Sequence, residues 1–375
     1  TTWPKPAAVY DAVDRYQREC GVAVGRGATR QAGDVRRTVD RCRELSARLL
    51  GARSADSVSF CFNGTDALNI GLHGVLRAGD HVVTTVIEHN SVLRPLAELR
   101  ERIGIEVTRV GVDSQGVLDP REIERAVTPR TALIAVTHAS NVTGAVQPIA
   151  DVAAIAHRHG ALCLVDAAQT AGHCPIDVAG SEIDLLACSG HKGLLGPLGT
   201  GLFYVRPEIA DRVRSFRQGG TGSRSESDRQ PKAGPDTFES GNHNAPGLVG
   251  LEAALRWIEA NGGVRGRQAH EQELVEQLLE GLRQLPAVTV YGPSEAVART
   301  GVVSLNVAGL DPQDAAAILD DSFGIETRAG LHCAPGAHES LGTLAAGGTL
   351  RLSVGPFVTA EQIAAAIAAI AELAV

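Results

Sequence analysis

Residues 161–193 read ALCLVDAAQTAGHCPIDVAGSEIDLLACSGHKG. Two short apolar runs, Ala161–Val165 and Leu185–Cys188, each end on polar residues. Asp166 follows the first, and His191 with Lys192 follows the second in a glycine-bearing turn. A short apolar run without alternation is the pattern of a strand buried on both faces. A helical pattern over 149–159 precedes the first run. In an open α/β sheet, ligands lie beyond the C-terminal ends of the strands. Asp166, His191 and Lys192 therefore fall where a site belongs.

The same pattern extends outward. Thr131–Thr137 is a continuous apolar run with Asn141 shortly after it, and His81–Ile87 is followed by His89. Val58–Phe62 runs into Asn63-Gly64-Thr65 and a helix from Asp66. Downstream, Leu202–Val205 reads as another strand, and upstream Val35, Val39, Cys42, Leu45 and Leu49 fall on one face of a helix stopped by Gly51. Strand–helix alternation of this kind predicts an α/β fold, a mostly parallel sheet sandwiched by helices. Residues 217–236, RQGGTGSRSESDRQPKAGPD, read as a long loop. A helical stretch over about 247–285 follows. Short strands at Val288–Tyr291, Val302–Val307, Gly324–Thr327 and Leu350–Val354 then alternate with helices, the last started by a Thr359/Gln362 capping box. The expected organisation is an N-terminal segment, 1–20, packing with the small domain, a large domain, 21–250, and a smaller α+β domain, 251–375.

Composition narrows the function classes. The chain has 375 residues, 44% hydrophobic and 21% charged, enough for a large core. Its net charge of −8, without a long basic run, argues against nucleic-acid and anionic-membrane partners. No apolar stretch reaches membrane-spanning length, and Pro4, Pro6 and Asp11 stand where a signal peptide needs an apolar run. The seven cysteines form no CxxC pair. They fit reduced thiols in a cytoplasmic protein, not a disulfide framework, and no metal site is expected. Methionine is absent even at position 1, so the first residues of the native chain are expected to be missing.

Each polar residue at a strand end, taken alone, fits an ordinary role: Asp166 as a helix cap, Lys192 as a solvated loop lysine, Asn63-Gly64-Thr65 as a plain turn, His89 and His191 as loop residues. Together they match the needs of pyridoxal 5'-phosphate. A lysine amine forms the Schiff base. An acid keeps the pyridine nitrogen protonated, so that the ring serves as an electron sink. Backbone N–H groups at a helix start hold the phosphate.

The blocks Val165-Asp166-Ala167-Ala168-Gln169, Ser189-Gly190-His191-Lys192 and Gly196-Pro197-Leu198-Gly199 resemble the class V aminotransferase-fold enzymes, specifically cysteine desulfurases. Glu88-His89, Ser140-Asn141-Val142-Thr143-Gly144, Phe238-Glu239-Ser240-Gly241-Asn242 and Arg328-Ala329-Gly330-Leu331-His332-Cys333-Ala334-Pro335 follow the family order, and Thr1–Pro6 resembles the end of a family N-terminal segment. The resemblance spans nearly the whole chain and implies the fold-type I architecture of pyridoxal-phosphate transferases. It assigns Lys192 to the Schiff base, Asp166 to the pyridine nitrogen and His89 to the ring face, where it can shuttle protons. Gln169 and Asn141 belong to the ring hydroxyl, Asn141 also to the substrate carboxylate. Gly64, Thr65, Ser189 and His191 hold the phosphate. Asn242 stands where the family often has Thr and reaches the phosphate of the other subunit, which implies a homodimer, with the loop 217–235 ordering near the interface. Arg351 binds the substrate carboxylate, and Arg328 matches an arginine near the active-site loop.

Cys333 decides the function that the resemblance implies. It would take sulfur from L-cysteine as a persulfide and release L-alanine, with His332 favouring the thiolate. The short loop AGLHCAPGAHESLG resembles the type II, SufS-like branch and calls for a sulfur-acceptor protein, in iron–sulfur cluster assembly or another thiolation pathway. The alternatives are selenocysteine lyase activity, another pyridoxal-phosphate reaction (lyase, epimerase or aminotransferase) in which Cys333 is dispensable, and a non-catalytic scaffold for a sulfur-transfer partner. One departure stands out. Gly25–Arg30 resembles a block that usually carries His where this chain has Thr29, which cannot act as an acid or base near neutral pH. His157, His159, His173 and His338 match no functional position and are expected at the surface. The other six cysteines are expected to serve packing.

Overall fold

A computed structural model describes residues 4–24, 29–221, 223 and 226–374. Helices α1 (Ala7–Glu19) and α2 (Arg30–Leu50) precede strand β1 (Val58–Cys61). Then come α3 (Gly64–Val75), β2 (His81–Thr85), α4 (Asn90–Ile103), β3 (Glu106–Val110), α5 (Pro120–Ala126), β4 (Thr131–Thr137), α6 (Ile149–Arg158) and β5 (Leu162–Asp166). Strands β6 (Leu185–Ser189) and β7 (Gly201–Val205) and helix α7 (Ala245–Ala260) complete the larger unit. Its sheet runs β1-β7-β6-β5-β4-β2-β3, with β7 antiparallel to both neighbours and the other pairs parallel.

The continuous apolar runs of β4, β5 and β6 sit in the middle of this sheet because both faces are covered. Ile134, Val136, Cys163, Val165, Leu186 and Cys188 join one core with α2, α6 and α7. Leu133, Ala135, Leu162, Leu164, Leu185 and Ala187 join a second with α3 and α4. The period-2 alternation of side chains thus feeds two cores from one sheet.

The smaller unit holds α8 (Gly263–Arg283), β8 (Val288–Tyr291), β9 (Val302–Val307), α9 (Pro312–Phe323), β10 (Arg328–Gly330), α10 (Pro335–Ser340), β11 (Thr349–Ser353) and α11 (Ala360–Leu373). Its antiparallel sheet runs β10-β11-β9-β8. Leu278, Leu305, Leu319, Leu350 and Ile370 anchor its own core. The Thr359/Gln362 capping box is present at the start of α11.

Three features differ from the sequence reading. The helical stretch 247–285 is two helices, broken at Asn261 and at Gly262, which has φ +83°. Helix α7 packs on α1 and α2, so it belongs to the larger unit. The strand expected at 324–327 begins instead at Arg328. Gly324 adopts φ +63° and closes α9, its N–H bonding to Asp320 O and the Ile325 N–H to Leu319 O. This paired C-terminal motif uses up the residues that looked extended. The N-terminal segment, expected against the small domain, places α1 on α7, with Val9 in the large core, while Pro4 borders a cleft of the small domain. Residues 1–3 and 25–28 of the N-terminal blocks, and residues 222, 224 and 225 of the loop, lie outside the described residues.

Candidate active site

The C-terminal ends of β1, β2, β4, β5 and β6 converge on one cavity. Gly64, Thr65, His89, Asn141, Asp166, Gln169, Ser189 and Lys192 all line it, together with Leu68, Ser91, Thr137 and Ala168. Each arrives by local chemistry. Asn63 caps α3, its side chain accepting the Asp66 N–H, so that the helix starts at the cavity wall with Gly64 and Thr65. His89 caps α4 in the same manner, its Nδ1 accepting the Ser91 N–H at 3.0 Å. Asp166 closes β5 and takes the Ala168 N–H at 2.9 Å.

The electrostatics are set by burial and close opposite charges. Burial raises the Asp166 carboxyl, against the opposing pull of Lys192 and of the Ala168 N–H. Burial lowers the Lys192 amine, Asp166 opposes that shift, and the cations Arg351 and Arg328 add to it. Burial, with Lys192 and Arg328 nearby, brings His89 down to about 4. His89 is therefore neutral near pH 7. Because its Nδ1 accepts from a backbone N–H, the ring proton resides on Nε2.

The donor set fits pyridoxal phosphate. A Cβ on Gly64 would come within 2.7 Å of Ser189 Oγ, so only glycine keeps this wall open. The Gly64 N–H reaches Ser189 Oγ at 3.1 Å, and Thr65 Oγ1 meets Ser91 Oγ at 2.8 Å. A helix N-terminus with two hydroxyls suits a phosphate. Across the cavity, Asp166 and Lys192 suit a pyridine nitrogen and an aldehyde. Ser91 was not read from the sequence; its signal is a hydroxyl two residues after the capping His89.

Arg351 on β11 and Arg328 on β10 are direct cross-strand partners that line a neighbouring cleft of the small domain, and both charges act on Lys192. Like charges directly opposite are unfavourable by themselves. Burial and the Arg328 charge bring Arg351 down to about 10. Its Nη1 donates to Asn141 O at 2.9 Å, while its buried Nε has no partner among the described residues. An arginine pair with donors to spare has the chemistry to receive a carboxylate.

Cys333 sits on the turn between β10 and α10. His332 and Cys333 both take left-handed φ, +50° and +62°. Two consecutive non-glycine residues there cost roughly 1–2 kcal/mol each, so their partners must hold them. Asn141 Nδ2 donates to His332 O at 2.5 Å, and the Asn90 N–H donates to Cys333 O at 2.8 Å. The cavity and the cysteine turn therefore share Asn141. Cys333 is partly accessible, and Arg328 Nη2 lies 3.5 Å from its Sγ.

The structure revises several histidines. His332 does not serve the thiolate. It is 2% exposed, its Nε2 donates to Thr349 O at 3.0 Å, and burial drives it down to about 3. The cation near sulfur is Arg328. His338, expected at the surface, is fully buried, bonded to Thr343 Oγ1 at 2.8 Å and tilted against the His332 ring. His173 is largely buried and pairs with Glu271 at 2.8 Å. Thr29 caps α2 through the Ala32 N–H. His191, assigned to the phosphate, does not line the Lys192 cavity, and Asn242, assigned to the phosphate of the other subunit, lies apart from it. His191 presents its carbonyl to Lys5 Nζ at 2.8 Å. Asn242 is exposed, in a depression with Phe62, Arg217, Glu239 and His243. Glu88, next to His89, is fully buried, and burial raises it to about 8.

The aminotransferase class-V family model matches residues 1–365. The chain belongs to that family. This class-V chain is 37% identical to a probable cysteine desulfurase of Methanothermobacter thermautotrophicus, over 97% of its own length and 90% of that protein. It is 33% identical to a cysteine desulfurase of Escherichia coli (strain K12 / DH10B), over 88% of this chain and 82% of that one. The apo structure of a cysteine desulfurase from Thermococcus onnurineus NA1 superposes with a TM-score of 0.92 at 34% identity, covering 100% of this chain and 92% of that one. The mostly parallel sheet with a second, smaller sheet is the architecture of that neighbour. Among the described residues there is no cluster of His, Cys, Asp or Glu able to hold a metal, and no helix long and apolar enough to cross a membrane.

Proposed function

We propose that this class-V chain is a pyridoxal-phosphate-dependent L-cysteine desulfurase with Cys333 as its sulfur acceptor. The observation that carries the reading is the placement of Cys333. It is partly accessible, 3.5 Å from the Arg328 guanidinium, and tied through Asn141 to the cavity that holds Lys192 and Asp166. The other cysteines do not share that placement: Cys42, Cys61, Cys163, Cys174 and Cys188 are buried, with burial raising each thiol, and Cys20 packs beside the large core.

Gly64, Thr65 and Ser189 would hold the phosphate, Asp166 the pyridine nitrogen, Asn141 and Gln169 the ring hydroxyl, and Lys192 the aldehyde. When bound, the cofactor supplies an electron sink for the bonds at the substrate α carbon. The chain's own residues supply the rest. Arg351, with Arg328 opposite, takes the substrate carboxylate. Lys192, whose amine is lowered by burial, carries a proton to and from the substrate carbon. Neutral His89 presents Nε2–H as a donor to the cavity. The Cys333 thiolate attacks the substrate sulfur, a new S–S bond forms, and the substrate C–S bond breaks. Its electron pair stays with carbon, which gains a proton. L-cysteine and the Cys333 thiol thus become L-alanine and a Cys333 persulfide, with atoms and electrons balanced.

The partial exposure of the Cys333 turn supports handing the sulfur on to a thiol of an acceptor protein, for iron–sulfur cluster assembly or other thiolation. Exposed Phe62, in the same depression as Asn242, supports a homodimer with that face covered. Seven free cysteines suit a reducing, cytoplasmic compartment. Alanine release from L-cysteine by the native chain and by Cys333→Ala tests the reading. Turnover that collapses in the variant while the cofactor stays bound supports it; equal turnover overturns it. Parallel rates with L-selenocysteine decide between desulfurase and selenocysteine lyase.

A further inference from the structure

The turn that carries Lys192 is held from outside itself. Four successive carbonyls, 190–193, need donors. Two find them within the turn: the Gly196 N–H bonds to Gly190 O at 2.8 Å and the Leu195 N–H to Lys192 O at 2.9 Å. The carbonyls of the two neighbouring residues, His191 and Gly193, are met by cations from distant parts of the chain. Lys5 Nζ donates to His191 O at 2.8 Å, and Arg267 Nη1 donates to Gly193 O at 2.7 Å. Lys5 comes from the segment before α1 and Arg267 from the first turns of α8.

Both contacts are costly to build. Arg267 is 3% exposed, and its Nε and Nη2 have no hydrogen-bond partner among the described residues. Its nearest anion, Glu271, is 3.7 Å away and is shared with His173. A buried guanidinium with one hydrogen bond is a poor device for stability. Besides offsetting the buried Glu271, the charge serves the bond to Gly193 O, which is its only short contact among those described. Lys5 is half-buried, and burial lowers its amine to about 8. The turn is also pressed from the side: a Cβ on Gly193 would strike Ala171 O and the His173 ring. Lys5 thus holds the peptide plane before Lys192, the Leu195 N–H holds the plane after it, and Arg267 holds the next plane, 193–194, so the backbone around Lys192 is fixed and its side chain is aimed in one direction.

We propose that Lys5 and Arg267 are positioning residues for Lys192, aiming its amine at the cofactor aldehyde. The inference rests on the cofactor reading above. The amine and the aldehyde condense with loss of water, and hydride from borohydride reduces the resulting carbon–nitrogen double bond to a stable amine. The experiment strips cofactor from the full chain, adds pyridoxal phosphate, quenches with borohydride at successive times, and measures cofactor fixed to Lys192 by peptide mass. Affinity for pyridoxamine phosphate, which has no aldehyde, is measured alongside. Lys5→Ala and Arg267→Ala are expected to slow fixation about tenfold each, as expected for a misaimed nucleophile. Pyridoxamine phosphate affinity should stay within about twofold, since the phosphate and ring contacts are untouched, and Lys5→Arg should restore the rate. Native fixation rates in the variants overturn the proposal, as does an equal loss of pyridoxamine phosphate affinity, which marks a collapsed pocket. If Arg267→Ala does not fold, Lys5→Ala, at a half-buried position, decides the question alone. A native chain that fixes no cofactor at Lys192 refutes the cofactor reading instead.

Discussion

Glu88 offers a quantitative test of how the site is held together. Its Oε1 accepts from Thr85 Oγ1 at 2.6 Å and from the Thr137 N–H at 3.0 Å, tying the end of β2 to the end of β4 beside Asp166. Its Oε2 is buried without a partner among the described residues. Burial, the largest cause, raises the carboxyl from 4.5 to about 8. A raised acid binds its proton more tightly folded than unfolded. Its contribution is therefore most favourable below the unfolded value near 4.5, and is lost as pH rises toward 8. At 1.36 kcal/mol per pH unit, the loss is about 3 kcal/mol by pH 7 and about 5 kcal/mol above pH 8, an upper bound for a site that relaxes. Glu88→Gln keeps the acceptor for Thr85 and Thr137 but cannot ionise. Its unpaired amide donors cost about 1–3 kcal/mol at every pH, so the slope decides, not the offset. Denaturant midpoints of the two proteins at pH 5, 7 and 9 should show the variant gaining steadily on the native chain as pH rises. Parallel lines across that range would refute the reasoning.

Gly64→Ala should weaken pyridoxal phosphate binding by roughly 1–3 kcal/mol, about 5- to 150-fold, because its Cβ meets Ser189 Oγ at 2.7 Å; a cofactor titration within threefold of native would contradict the cradle. Arg351→Lys keeps the charge but loses the planar fork, and should lower kcat/KM for L-cysteine by about 10- to 100-fold while leaving cofactor affinity unchanged; steady-state kinetics showing native kcat/KM would remove Arg351 from carboxylate binding.

The larger unit was legible because its signals are local. β4, β5 and β6 are short apolar runs with no polar interruption, and Asp166, His89 and Lys192 fall at or just beyond strand ends, where side chains of different elements meet. What escaped the sequence depends on long-range geometry. β3 is an edge strand, partly exposed along most of its length, and carries no continuous apolar run. The residues of 324–327 look extended but complete the end of α9. His332 and His338 look like polar loop residues, yet the turn folds over them and buries both. Lys5 and Arg267 reach the Lys192 turn from far along the chain, and no spacing rule connects them to it. Arg328 matches an arginine near the active-site loop, and its direct contact with Cys333 Sγ emerges only once β10 and the following turn are placed.

The function turns on passage of sulfur from substrate to Cys333. The most direct measurement mixes the holoenzyme with one equivalent of L-cysteine without reductant, blocks thiols, and maps the cysteine peptides by mass. One added sulfur atom is expected on the peptide containing Cys333, with one alanine released per sulfur bound, and none on the peptides of the five buried cysteines. Alanine released with no sulfur on Cys333, or turnover unchanged in Cys333→Ala, would contradict it.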